Sequence, residues 1–277
     1  MAREPTFSEI LTLAVADLQE HGFTDAERLE YWTLKLKEAA ERSMGSQAQM
    51  EQILREGLTA VYKRLVENGG VAKYHGGIDR FTIERLNAQM RLELDKRILA
   101  SADLIKLNRE KAIAQTLSRF SGWATSIPAG GSDTVNRTEE KGRIKKALSS
   151  QPFEVRRVLI DQGHKLTASI NEVIALNGDA IALRWRSHWR QPGYNYREDH
   201  KERDGVVYLI KGSWALDAGL IKPGPGGYYE NITAVAQEPF CRCWAHWLYN
   251  LRDLPPECLT KKGADNLAEA RAKVAAL

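Results

Sequence analysis

The chain has little cysteine, little proline and no long apolar run. Its 277 residues include three cysteines and nine prolines. So low and odd a cysteine count argues against a disulfide-stapled secreted domain and fits a protein kept reduced in a cytoplasm. The absence of a run of about 18 apolar residues argues against an α-helical membrane span. The opening MAREPTFSEILTL soon meets Asp17 and Glu20, which interrupt the apolar stretch a secretory signal needs. A strong charge bias is missing too: 40 Lys and Arg against 36 Asp and Glu leave +4. That balance is compatible with DNA nearby but falls short of a dedicated nucleic-acid binder. No internal repeat is present.

What is there begins with helix. The 43% apolar content can fill one large core or two modest ones. Phe7, Ile10, Leu11, Leu13, Ala14 and Leu18 recur at helical spacing, and His21-Gly22 supplies a stop. Thr24-Asp-Ala-Glu27 reads as a capping box opening a helix over 25–43, with Leu29, Trp32, Leu36 and Ala39 as its stripe. Ser46 can cap a helix over 47–67 that Asn68-Gly69-Gly70 closes, with Ile53, Leu58, Val61, Tyr62 and Leu65 on one face. Lys73–Asp79 reads as a loop. A long helix is then expected over 82–120, or two helices broken near Ser101–Asp103.

Ser126–Asp133 is rich in Gly, Pro and Ser and predicts a linker. The expected organisation is a helical, partner-docking region over 1–125, a linker at 126–133, an α+β domain over 134–261 and a terminal helix over 262–277. Within the second half, helices are expected over 134–149, 154–160 and 166–176. Strands are expected at Ala180–Trp185, extending into RWRSHW, and at GVVYLIK; Cys243–Leu251 reads as a last strand or short helix. The fold class is therefore α+β, with long helices first and a small mixed domain after them.

The chemistry-bearing residues crowd between Arg184 and Trp247. Trp185, His188, Trp189, His200, Cys241, Cys243, Trp244, His246 and Trp247 all fall there, which predicts a compact, specified site. Alternate residues on a strand share a face, so Cys241 and Cys243 can be small buried neighbours. Equally, with His200 and either Asp204 or His246 they can form a tetrahedral sulfur and nitrogen metal site, with structural zinc as the ion. C-x-C is tighter than the usual C-x2–4-C knuckle, and no second cysteine pair exists. His200 and Asp204 on one loop, with His188 and Arg197 near, allow a metal-dependent nuclease on paper, but such chemistry asks for more carboxylates. The alternative is a clamp in which His200 and Asp204 hold backbone while Arg197 or Arg203 pairs with carboxylates. Gly224-Pro-Gly-Gly227 lacks the Lys-Ser/Thr of a phosphate loop. Lys141, Arg143, Lys145 and Lys146, with Arg156, Arg157, Arg184, Arg186 and Arg190, offer either a DNA-facing surface or a solvated helix face.

These motifs carry a resemblance. A Trp-bearing strand at Trp185, the loop R-x-x-H-x-x-x-D-G (Arg197, His200, Asp204, Gly205) and C-R-C (Cys241, Arg242, Cys243) stand in order, after an R-T-E segment (Arg137, Thr138, Glu139). In that order the chain resembles the Mu F-like phage head-morphogenesis family over about residues 130–250, with RQPGYNY where the family has a shorter connection. The resemblance implies a minor structural protein of a tailed-phage head, present in few copies at the portal vertex and acting in head morphogenesis, DNA packaging or delivery. It implies the portal and other head proteins as partners, DNA as a further one, no small-molecule substrate, no enzyme activity and no cofactor. It also implies synthesis in a host cytoplasm and residence in the virion. On this reading Arg137, Glu139, Trp185, His188, Arg197, His200, Asp204, Gly205, Cys241, Arg242 and Cys243 form the structural motif. Two rival readings are a virion-carried metal-dependent nuclease or other hydrolase, and a DNA-binding internal protein that is ejected.

Overall fold

The computed structural model describes residues 3–22, 25–71, 74–76, 78–126 and 137–275, with the side chains of Arg137 and Gln151 left out. Helix α1 spans Phe7–His21 and opens on a capping box formed by Thr6 and Glu9. Its buried stripe is Phe7, Ile10, Leu11, Ala14, Val15 and Leu18, whereas Leu13 is exposed. Helix α2 spans Ala26–Ser43 and is capped by Asp25, whose carboxylate accepts the Arg28 N–H. Thr24 of the expected box lies outside the described residues. Helix α3 spans Gln47–Tyr62, with Ser46 and Gln49 exchanging capping bonds. It runs on into a wider π-helical turn over Lys63–Glu67 that ends at Asn68-Gly69.

Helix α4 is short, Arg80–Arg85, and Leu86 separates it from α5, Asn87–Ser126. The 40 residues of α5 are unbroken at Ser101–Asp103, a length of about 60 Å at 1.5 Å per residue. Helix α6 spans Arg137–Ser149 and α7 spans Gln151–Asn177. The two short helices expected over 154–176 are thus one. Gly163, which lies between the two expected helices, sits buried in α7 with Val61 against it, and a Cβ there would meet the Val61 methyl at 3.7 Å. Tertiary packing overrides the weak local preference. The expected linker at 126–133 lies outside the described residues from 127 onward.

The chain forms two compact units that interleave along the sequence: 1–56 with 98–160, and 57–97 with 161–277. Among its described residues the first unit contains helices and no strand. Its main core joins α1 and α2 to Phe120, Ala124 and Ile144, and a smaller cluster joins Leu54, Ile105 and Val158. Asp17 links α1 to α2 by accepting from Arg28 at 2.6 Å and from the Trp32 indole at 2.6 Å.

The second unit carries the sheet. Strands β1 (Ala182–Arg186), β2 (Val207–Leu209) and β3 (Trp244–Leu248) pair antiparallel in the order β2-β1-β3. Period-two alternation sends Leu183, Trp185, Tyr208 and Trp247 to one face, where they pack with Ala168 and Ala175 of α7. Ala182, Leu209 and Leu248 point to the other face and pack under Ala215, Leu220, Leu251, Leu254 and Cys258. Beyond them on that second face the strands carry Arg184, Arg186, Trp244 and His246, which are half-buried or exposed. Helix α8 (Glu198–Glu202) and helix α9 (Trp214–Asp217) are single turns, and α10 spans Lys261–Ala275.

The Gly/Pro-rich passage 222–227 is explained by close approach to β2. A Cβ on Gly226 would collide with the Val207 carbonyl oxygen, whereas Gly227 has open space but a left-handed φ of 72°. Gly226→Ala is therefore expected to cost about 2 kcal/mol or more through displaced backbone, and Gly227→Ala about 1 kcal/mol through its dihedral. Chemical denaturation of the two variants checks this order; a reversed order would refute the packing account.

Candidate functional site

The site grows from the ends of β1 and β3. Trp185 donates its N–H to the Val206 carbonyl at 2.9 Å, and its own carbonyl accepts from Gly205 at 2.8 Å. Gly205 has φ 86°, a conformation that favours glycine, which lets the chain turn from α8 straight back onto β1. Asp204, one residue earlier, accepts the Ser187 N–H at 3.0 Å and the Trp189 indole N–H at 3.1 Å. Arg197, at the N-cap position of α8, pairs with Glu238 at 2.8 Å and donates to the Pro239 carbonyl at 3.0 Å. Arg203 pairs with Asp199 at 3.3 Å and lies 5.2 Å over the Trp185 ring. The loop is thus clamped by Asp204 and the two arginines.

The segment that meets this loop is strained. Ala236 and Phe240 adopt φ of 63° and 59°, a region costly for side-chain-bearing residues. Phe240 is held there by its N–H bond to Asp161 at 2.6 Å, and Asp161 is paired with Lys165 at 2.9 Å. The turn delivers Cys241 and Cys243 into the interior from the irregular run just before β3.

There the clamp residues converge. His200 Nδ1 lies 3.5 Å from Cys241 Sγ and 3.4 Å from Cys243 Sγ. The opposite ring nitrogen faces Glu238 at 3.6 Å and Asp199 at 3.8 Å. The Trp185 indole packs edge-on against the imidazole, with ring centres 5.4 Å apart. His200, Cys241, Cys243 and Trp185 are buried, and all three cysteines of the chain are free thiols. The closeness of the two sulfurs drives their pKa values apart: contact with Cys243 holds Cys241 low, and the same contact, with burial, pushes Cys243 up. As a pair they give up a first proton readily and a second with difficulty. Burial opposes the charge of Asp204, but the Ser187 amide and Trp189 indole, helped by Arg186 and Arg190, outweigh it and hold that carboxyl below the usual range.

No family model, no curated protein and no solved structure matches the chain.

The expected motif residues divide sharply. Trp185, Arg197, His200, Asp204, Gly205, Cys241 and Cys243 meet around one interior. Arg242 stands at its edge, its N–H bonded to the Tyr194 hydroxyl at 3.2 Å and its guanidinium 5.4 Å over that ring. His188 contributes a turn through its carbonyl, which accepts from Gln191. Neither Asp204 nor His246 joins the sulfurs: Asp204 is engaged by Ser187 and Trp189, and His246 is exposed on β3. Arg137 and Glu139 belong to the first unit; the Arg137 side chain is outside the described residues, and Glu139 accepts from Arg143 at 2.6 Å on an exposed helix face. Of the basic run, Arg143 is paired with both Glu139 and Glu140, Lys141 bonds to Thr12, and Lys145 and Lys146 are exposed.

Sequence reading misses Glu238 and Asp199 as partners of His200, because nothing in a lone glutamate before a Pro-Phe pair marks it. It also misses His75, a buried histidine bonded to the Tyr249 hydroxyl at 2.6 Å and to Asn171 at 2.9 Å. Burial lowers the His75 pKa, so the ring is held neutral.

Asp204→Asn should cost about 2 kcal/mol near neutral pH, the range for bonds to a charged group. Because the folded pKa lies below the unfolded value, the carboxylate's contribution is present above about pH 4 and fades as pH falls through the folded value. Denaturant unfolding of both proteins across pH should show the gap closing only in strong acid; a gap independent of pH would rule out the charged clamp.

Proposed function

We propose that the chain is a minor structural protein of a tailed-phage head, associated with the portal vertex and acting in head morphogenesis, DNA packaging or delivery. One observation carries the reading. Of the motif that resembles the Mu F-like head-morphogenesis family, Trp185, His200, Cys241 and Cys243 are buried against one another, and Arg197, Asp204 and Gly205 tie down the backbone around them at the surface rather than line an open cleft. The two carboxylates nearest His200 are each paired with an arginine, which leaves little free base for hydrolytic chemistry. The motif thus serves as a scaffold, and the chain's role is to be an assembly part.

The test is localisation. In heads purified from cells making this chain with its portal and shell proteins, a tagged copy should copurify at few copies per particle and mark a single vertex. His200→Ala should reduce its incorporation several-fold. Recovery only outside heads, or labelling spread over the shell, would overturn the reading. Chelator-sensitive DNA cleavage by the purified chain would replace it with the nuclease.

A second reading, direct DNA contact, has its own observation. The uncovered half of the sheet's second face pairs Arg184 with His246 and Arg186 with Trp244 across β1 and β3. Burial lowers the His246 pKa, and Arg184 and Arg186 add to that effect, the mark of a locally positive surface. An exposed indole beside arginines is a platform for stacked bases. Oligonucleotide binding should weaken with salt at a slope of roughly −2 for three phosphate contacts, and Arg186→Glu should reduce affinity about tenfold or more. Binding that ignores Arg186→Glu but falls with Lys145→Glu would move the contact to α6.

A further inference from the structure

Packing alone does not account for the position of His200. Its Nδ1 stands almost equally far from two sulfurs, 3.5 and 3.4 Å. A nitrogen with one hydrogen can direct it at one acceptor, so equal approach to both is not what a hydrogen bond would select. A tetrahedral ion does select it. Metal–sulfur bonds near 2.3 Å and metal–nitrogen bonds near 2.0–2.1 Å make each nitrogen–sulfur edge about 3.5–3.6 Å long. All three ligand atoms lie within 4.8 Å of one another, on residues that are 3%, 1% and 4% exposed.

Two further features point the same way. Trp185 Nε1 and Ser187 Oγ are buried with the Cys243 sulfur as the group they face, too loosely placed for a formed hydrogen bond and with no other partner among the described residues. A neutral thiol gives such donors little, whereas a thiolate draws on them. Behind the imidazole, Nε2 is also without a hydrogen-bond partner and faces the Glu238 and Asp199 carboxylates at 3.6 and 3.8 Å. A carboxylate behind a histidine is the usual device for fixing the ring of a metal ligand.

We propose that His200 Nδ1, Cys241 Sγ and Cys243 Sγ hold one thiophilic divalent ion, zinc by the character of the ligands, with Glu238 and Asp199 orienting the imidazole from behind. On binding, the two thiols release their protons to solvent as the two metal–sulfur bonds form, and no electron is transferred. Three protein ligands leave the fourth corner to a water molecule. The carboxylates stand on the far side of the ring, each engaged by an arginine, so they are poorly placed to activate that water. The centre therefore acts on the fold: it ties α8 to the strained 236–243 segment and so to β3.

The test uses the purified full chain and the metal alone, so its outcome does not depend on whether the chain enters phage heads. Elemental analysis should give about one zinc per chain, and a cobalt-loaded sample should show thiolate-to-cobalt charge-transfer absorption. Cys241→Ser and Cys243→Ser should each abolish that absorption, while Cys258→Ser, which alters a buried thiol in the other core of the unit, should retain it. Glu238→Gln, which leaves all three ligands in place, should weaken zinc binding 10–100-fold. Chelation should lower the melting temperature by roughly 5 °C or more. A folded, reduced chain that carries no zinc, takes up no cobalt through sulfur and melts unchanged with chelator would overturn the proposal. So would loss of metal in Cys258→Ser equal to that in Cys241→Ser.

Discussion

An imidazole buried between two sulfurs and an indole is the contact on which the second unit depends. His200 reaches that position only because Gly205 turns the chain sharply behind it and Asp204 ties the same turn to Ser187 and Trp189. The sulfurs reach it only because Ala236 and Phe240 accept left-handed backbone, with Asp161 of α7 holding the second of them. Each part is unfavourable alone: a buried histidine, two buried thiols and two strained residues. Together they satisfy one another, so the loop after β1, the turn before β3 and the first half of α7 become one cooperative piece. Burying Trp185 at its centre adds roughly 2–3 kcal/mol of apolar stabilisation.

The two faces of the sheet divide the labour. One is closed by α7 and holds the knot of histidine, cysteine and tryptophan. The other is half closed by the segments around α9 and 251–258, and its remaining half shows cationic and aromatic side chains. In the role we propose, the closed face would serve as scaffold and the open one as the contact surface.

How much of this was legible in the sequence follows from how local each signal is. Helices α1, α2 and α3 were readable because apolar spacing acts within a few residues, as does the Ser46 cap of α3, whereas α2 is capped by Asp25 and not by the box expected from Thr24. The same-side placement of Cys241 and Cys243 was readable because alternation along extended backbone is geometry. The long α5 was readable because residues 82–120 contain no Gly or Pro. The continuity of α7 across Gly163 was not legible, since a glycine's helix cost is small and the neighbour against it, Val61, is remote in sequence. The partners of His200 were not legible, because Glu238 is brought in by a backbone conformation that no residue type announces. His75 was least legible of all, its partner Tyr249 lying 174 residues away.

The interleaving of the units has a consequence for how the protein comes into being. On a ribosome, the first unit lacks its closing segment until residue 160 has been made, and the second lacks its sheet until β3 emerges near residue 248. Helices α1 to α3 must therefore wait, their apolar stripes uncovered, through most of translation. A nascent chain of this kind is a natural client for a chaperone. For the same reason, cutting the gene at the apparent linker would yield two fragments, neither of which contains a whole unit.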